Sequence, residues 1–212
     1  MARGRGKRKV RIKSYNTRGL ILCEGQTEEK YFKGLVTQEA YRRKFSAIDV
    51  EIYKPDNNSP VGLIKKARDL MKVAKRERNE YNFAWVVFDR DQHASIPDAF
   101  EMARTNRPEI KIAFTSPCFE FFILLHFEKT TREFASCGEI ISYVKKKGYI
   151  PDYEKASNLF RLLEKLTDQG LEHCDWLSNR NKMDLEDGVR PYELSAYSNV
   201  EQLIRYLYSL VG

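Results

Sequence analysis

The sequence predicts an α/β protein, a mainly parallel sheet covered by helices and followed by a C-terminal helical subdomain. Residues 83–88 (FAWVVF) form an unbroken apolar run between Asn82 and Asp89, the pattern of a central strand buried on both faces. Further strand-like runs at 19–23 (GLILC), 47–53 (AIDVEIY) and 110–114 (IKIAF) alternate with segments of helical period, giving a βαβαβαβα order. After residue 128 strand-like runs disappear. The expected organisation is a basic arm over 1–18, an α/β domain over 19–128 and a helical subdomain over 129–212.

The first strand ends at Glu24-Gly25. A helix follows from Thr27, its expected N-cap, with Tyr31, Phe32, Leu35 and Val36 on one side. After the second strand, residues 55–60 are turn chemistry, with Ser59 placed to cap a helix that starts at Pro60. That helix sets Leu63, Ile64, Ala67, Leu70, Met71 and Ala74 inward and leaves Lys65, Lys66, Lys72 and Lys75 on its other faces. Such a charge run usually marks a solvated face, and its functional counterpart is contact with a nucleic-acid backbone. Further helices are expected from Pro97, over 117–127, 137–147, 154–169 and 199–210, with a polar break over 179–191.

With 42% hydrophobic and 32% charged residues the chain has a globular composition. No run approaches the roughly 18 apolar residues of a membrane span, and no signal segment follows the basic N-terminus, so a cytoplasmic protein with no membrane association is expected. Cys23, Cys118, Cys137 and Cys174 are scattered without zinc-site spacing and read as reduced thiols, mostly in the core. Of the 37 Lys and Arg residues, eight precede the first apolar segment without an acid among them; the other 29 face 30 acidic residues. The net charge of +7 therefore belongs to the arm. Such an arm suits phosphate neutralisation with counterion release, and equally suits a solubilising tail.

Ligands of open α/β sheets collect outside the carboxyl ends of the strands. There the sequence supplies acids: Glu24 with Glu28 after strand one, Asp89 and Asp91 after strand three, and Ser116 with Glu120 after strand four. Extended backbone through 89–91 would send both aspartates to one side and Arg90 to the other. Either pair alone reads as helix-dipole acids or a loop cap. Their coincidence at several strand ends favours a hard, oxygen-loving cation such as Mg²⁺ or Mn²⁺, with Glu24, Glu28, Asp89 and Asp91 as metal ligands.

The segments Cys23-Glu24-Gly25-Gln26-Thr27-Glu28 with Tyr31-Phe32, Val87-Phe88-Asp89-Arg90-Asp91-Gln92-His93, and Ser116-Pro117-Cys118-Phe119-Glu120 with Leu125-His126-Phe127 resemble, in order, the RloB-like family. The tail with Tyr197-Ser198-Asn199-Val200 is also similar. That family looks like a branch of the Toprim fold related to OLD-type nucleases. The resemblance implies a Toprim-like fold and a metal-dependent endonuclease that hydrolyses phosphodiester bonds in DNA or RNA. It makes Glu24 the leading glutamate, Glu28 its companion, Asp89 and Asp91 the D-x-D ligands, and Glu120 a further catalytic acid. It also implies a role in defence against phage or foreign DNA, beside a separately encoded ATPase. His93 is a candidate acid/base or outer partner, whereas His126 on an apolar helix reads first as a hydrogen-bonded core residue.

Two other functions fit parts of the pattern. A non-catalytic nucleic-acid-binding or regulatory subunit would use the arm and the basic helix. A haloacid-dehalogenase-type phosphatase also carries D-x-D after an apolar strand, although there the motif follows the first strand and here the third. No P-loop is present. Arg90, Lys54 and the lysines of the second helix are all open as the cation facing a phosphate.

Overall fold

The computed structural model describes residues 17–39, 45, 48–90, 95–155 and 158–211. The chain runs β1 (Thr17–Cys23), α1 (Gln26–Thr37), β2 (Ile48–Tyr53), α2 (Pro60–Arg76), β3 (Phe83–Asp89), α3 (Ile96–Thr105), β4 (Lys111–Ser116) and α4 (Phe119–Leu124). It continues through α5 (Cys137–Lys146), α6 (Phe160–Leu163), α7 (Thr167–Glu186), β5 (Tyr197–Ser198) and α8 (Val200–Ser209). The strands form one sheet in the order β2-β1-β3-β4-β5. The first four are parallel, and β5 joins β4 antiparallel. The expected α/β fold, a mainly parallel sheet covered by helices, is the one observed.

Alternation along the strands divides the core into two layers. From β1 and β3, Ile21, Cys23, Trp85 and Val87 enter one layer with Tyr31, Phe32 and Leu35 of α1. Leu20, Leu22, Val86 and Phe88 enter the other with Leu63, Ile64 and Ala67 of α2 and Ala99 and Ala103 of α3. Every residue of β3 is buried, as its apolar run predicts. Helix α2 starts at Pro60, with the Ser59 side chain accepting from the Gly62 N–H at 3.2 Å. Its Lys65, Lys66, Lys72 and Lys75 are exposed. Where α1 meets α6 the approach is close: a Cβ at Gly34 would lie 2.6 Å from that of Phe160, so only glycine fits there.

The basic segment 1–16 lies outside the described residues. Arg18, counted from the sequence with the arm, lies in β1, where it pairs with Asp49 and Glu51 and stacks 4.3 Å from the Tyr81 ring centre. Helix α1 begins at Gln26 with Gly25 at its cap, so Thr27 is already inside the helix.

Three expectations for the rest of the chain are corrected. The part after residue 128 is not free of strand. Tyr197 and Ser198 pair with Ser116 and Thr115, and Asn199 extends the edge by side-chain mimicry. Its Oδ1 accepts from the Phe114 N–H at 2.6 Å and its Nδ2 donates to the Ile112 carbonyl at 3.0 Å. Second, the expected break over 179–191 is largely helical, since α7 continues to Glu186. Third, the cysteines are not all reduced thiols. Cys118 and Cys137 form a disulfide with Cα atoms 5.8 Å apart, because α4 and α5 start side by side although 19 residues separate the pair in sequence. Cys23 and Cys174 are free and buried.

Candidate functional site

The connections around β1 and β3 create an opening. The helix after β1, α1, covers one face of the sheet, while the helix after β3, α3, covers the other. Between neighbouring strands whose following helices diverge, a crevice is left outside the carboxyl ends. Here it is a cavity of about 540 Å³.

Glu24, Glu28, Asp89 and Glu120 all line it. Glu24 follows β1, and its Oε2 accepts from the Asp89 N–H at 3.1 Å, which ties the two strand ends together. The Glu24 carbonyl accepts from Asn58 Nδ2 at 2.8 Å. Glu28 sits in the first turn of α1 and folds back over Gly25, where any Cβ would overlap its carboxylate. Asp89 ends β3, and its Oδ2 accepts from the Phe119 N–H at 3.4 Å. Glu120, one residue further into α4, accepts from the Tyr153 hydroxyl at 2.7 Å through Oε1. All four acids are buried. Asp91 and His93 lie outside the described residues.

Crowded, desolvated carboxylates resist ionisation together. The effect is resolved at Glu28, whose pKa is pushed up to about 7 by burial first and then by the charges of Glu120 and Glu24, with Lys155 pulling the other way. The donor set is all oxygen, which fits Mg²⁺ or Mn²⁺ better than a softer ion. Glu24, Glu28 and Asp89 are the described residues that could hold such an ion, with Glu120 at the border.

Two cations also line the cavity, Lys54 and Lys155. Lys54 is the first residue beyond β2 and so belongs to the strand ends that carry the acids. Lys155, in the segment between α5 and α6, has no local sequence signal. Arg90 turns elsewhere: its backbone N–H donates to the Thr115 carbonyl at 2.9 Å and its guanidinium reaches the Leu194 carbonyl at 3.5 Å. The exposed lysines of α2 do not line the cavity. His126 is a core residue. It is buried, with Nδ1 3.1 Å from the Phe122 carbonyl and Nε2 3.4 Å from the Tyr31 hydroxyl.

A second cluster borders the cavity. Cys118, Glu120 and Cys137 are the one trio of metal-ligating residues among the described residues whose donor atoms all lie within 4.8 Å of one another. The carboxylates of Glu24, Glu28 and Asp89 share the cavity without closing to that distance.

Residues 19–207 match the model of a family described as RloB-like protein. The chain belongs to the RloB-like family. The match spans most of the sheet, the acidic crevice and most of the C-terminal helices. No curated protein and no solved structure matches this RloB-like chain. No helix among the described residues is long and apolar enough to cross a membrane.

Proposed function

We propose that this RloB-like chain is a divalent-metal-dependent nuclease of Toprim type that hydrolyses phosphodiester bonds in DNA or RNA. The observation that carries the reading is the convergence of Glu24, Glu28, Asp89 and Glu120 on one crevice at the carboxyl ends of β1, β3 and β4, with Lys54 and Lys155 on its wall. When bound, a magnesium or manganese ion supplies Lewis-acid polarisation of the scissile phosphate and a water nucleophile at neutral pH. The chain's own part is to hold and orient. Glu24, Glu28 and Asp89 supply the charge that retains the cation, and the Glu24 contact to the Asp89 N–H fixes the Glu24 side chain against the backbone that carries Asp89. Glu28, with its pKa pushed up to about 7, would have to be deprotonated to act as a ligand. Lys54 and Lys155 attract the phosphate oxygens.

The test is incubation of the pure protein with labelled plasmid, single-stranded DNA and total tRNA, in Mg²⁺, in Mn²⁺ and in chelator. Cleavage of at least one substrate, abolished by chelator, is expected. Binding of all three substrates without cleavage, with or without a partner ATPase, would replace this reading by that of a non-catalytic binding subunit. The proposed role in defence against phage or foreign DNA, beside a separately encoded ATPase in the cytoplasm, rests on the family resemblance alone.

The same reading gives residues 1–16 work to do on the nucleic-acid backbone. Their deletion is expected to weaken binding and to flatten its dependence on salt, since each lost phosphate contact lowers the slope of log affinity against log salt by about 0.9 on duplex DNA. The melting temperature should not move. Unchanged affinity and slope would make the segment a solubilising tail.

A further inference from the structure

We propose that Cys118, Cys137 and Glu120 form a second metal site, for a thiophilic divalent cation such as Zn²⁺, which is open only when the Cys118–Cys137 disulfide is reduced. The inference rests on this cluster's geometry and not on the nuclease reading. Two sulfurs and a carboxylate oxygen lie within 4.8 Å of one another. The Cα atoms of the two cysteines are 5.8 Å apart, a spacing that serves either a disulfide or two ligands of one ion. The cluster is built rather than incidental. Cys118 and Glu120 are buried, and they sit at the cap and second residue of α4. Cys137 is the first residue of α5, whose N-cap Ser136 accepts from the Glu139 N–H at 3.3 Å. Glu120 is held from both sides: Tyr153 donates to Oε1 at 2.7 Å, while Oε2 lies 2.7 Å from Cys137 Sγ. In the dithiol form that second contact is an S–H donating to the carboxylate.

Ligand chemistry separates this site from the neighbouring crevice. Thiolates select zinc-like ions over magnesium, which takes oxygen donors. Three protein ligands leave a fourth tetrahedral position for water or another donor. The hydroxyl of Tyr153 is placed as the outer partner that orients the ligating carboxylate. Opening the site is a two-electron step: a dithiol reductant transfers two electrons and two protons to the Cys118–Cys137 bond and becomes a disulfide itself. Binding then releases both thiol protons as the two sulfur–metal bonds form. Glu120 is the residue shared by cluster and crevice, so the redox state of the pair reaches the edge of the acidic cavity.

The experiment uses the full chain, oxidised or reduced, titrated with Co²⁺ as a spectroscopic substitute and then with Zn²⁺. Reduced protein is expected to show a near-ultraviolet thiolate-to-cobalt charge-transfer band at one equivalent, bleached by Zn²⁺, and oxidised protein none. Cys137→Ser and Cys118→Ser should each lose the band, and Tyr153→Phe should weaken Zn²⁺ binding by about 10-fold. Asp89→Asn should keep it, so failure of the nuclease reading and failure of this one stay distinguishable. Should Cys118→Ser not fold, the partly exposed Cys137 and the comparison of oxidised with reduced wild type carry the test. Absence of a band in the reduced protein, or its persistence in Cys137→Ser, overturns the site. Oxidation that leaves all four thiols titratable overturns the gating.

Discussion

Asp89→Asn should remove metal-dependent cleavage while leaving the fold in place. The substitution keeps the size of the side chain and an oxygen that can still accept from the Phe119 N–H, so the start of α4 keeps its anchor. What it removes is one negative charge at the centre of the acidic crevice, between the ends of β1 and β4. Cleavage is expected to fall at least ~100-fold, the scale on which losing one charge-stabilising group slows an active site. Thermal melts separate lost binding from lost chemistry. At about 100 times its dissociation constant a metal ion adds about 2.7 kcal/mol to the stability of the protein that binds it. Mn²⁺ should therefore raise the wild-type melting temperature clearly above its value in chelator and move the variant much less. Equal shifts in both proteins would take Asp89 out of the metal site. Cleavage that survives in the variant would move the chemistry to other residues.

The parts of this architecture that were legible in the sequence are those where one physical cause dominates. Strand β3 reads as an apolar run because helices cover both of its faces, and α2 reads cleanly because Ser59, Pro60 and the stripe from Leu63 to Ala74 agree. The acids of the crevice were visible because strand ends in a parallel sheet are ligand positions, and the same rule applied to β2 singles out Lys54 from the cations that the sequence left open. The misses depend on contacts far apart in the chain. Strand β5 is two residues long and exists because Asn199 and the end of β4 complete each other's hydrogen bonds. Asn179 and Asn181 look like a helix break, yet Asn181 is buried and its Nδ2 donates to the Ala196 carbonyl at 2.9 Å, holding the approach to β5. Lys155 reaches the cavity from a loop, and Cys118 finds Cys137 only once α4 and α5 lie together. None of these pairings leaves a periodic trace.

Glu201, remote from the crevice, should lower stability as the pH rises from 4.5 to 7. Glu201, in the first turn of α8, is 5% exposed, and its Oε2 has no hydrogen-bond partner among the described residues. Burial first, and then the charge of Asp175, push its pKa up to about 7 from an ordinary 4.5, against the pull of Arg205. Cys174 and Tyr197 also face it and are themselves pushed upward, by burial first and then by its charge. In this window the folded chain holds a proton that the unfolded chain has released, so raising the pH favours unfolding, by about 3 kcal/mol once the folded pKa is passed. His126 acts with the opposite sign. Burial pushes it down to about 4 from 6.5, so its contribution is intact above pH 6.5 and is lost as the pH drops through 4. Over the shared range His126 opposes Glu201 while Glu28, whose pKa is likewise pushed up to about 7, adds to it, so wild-type stability should fall less steeply than the two glutamates alone would make it. Glu201→Gln uncovers the difference: it should melt with wild type near pH 4.5 and above it at pH 8, by an amount on the order of 6 °C for a chain of this size. Equal melting temperatures at both pH values would mean that Arg205, whose guanidinium donates to Asp175 Oδ2 at 2.6 Å, turns to the Glu201 carboxylate once it ionises.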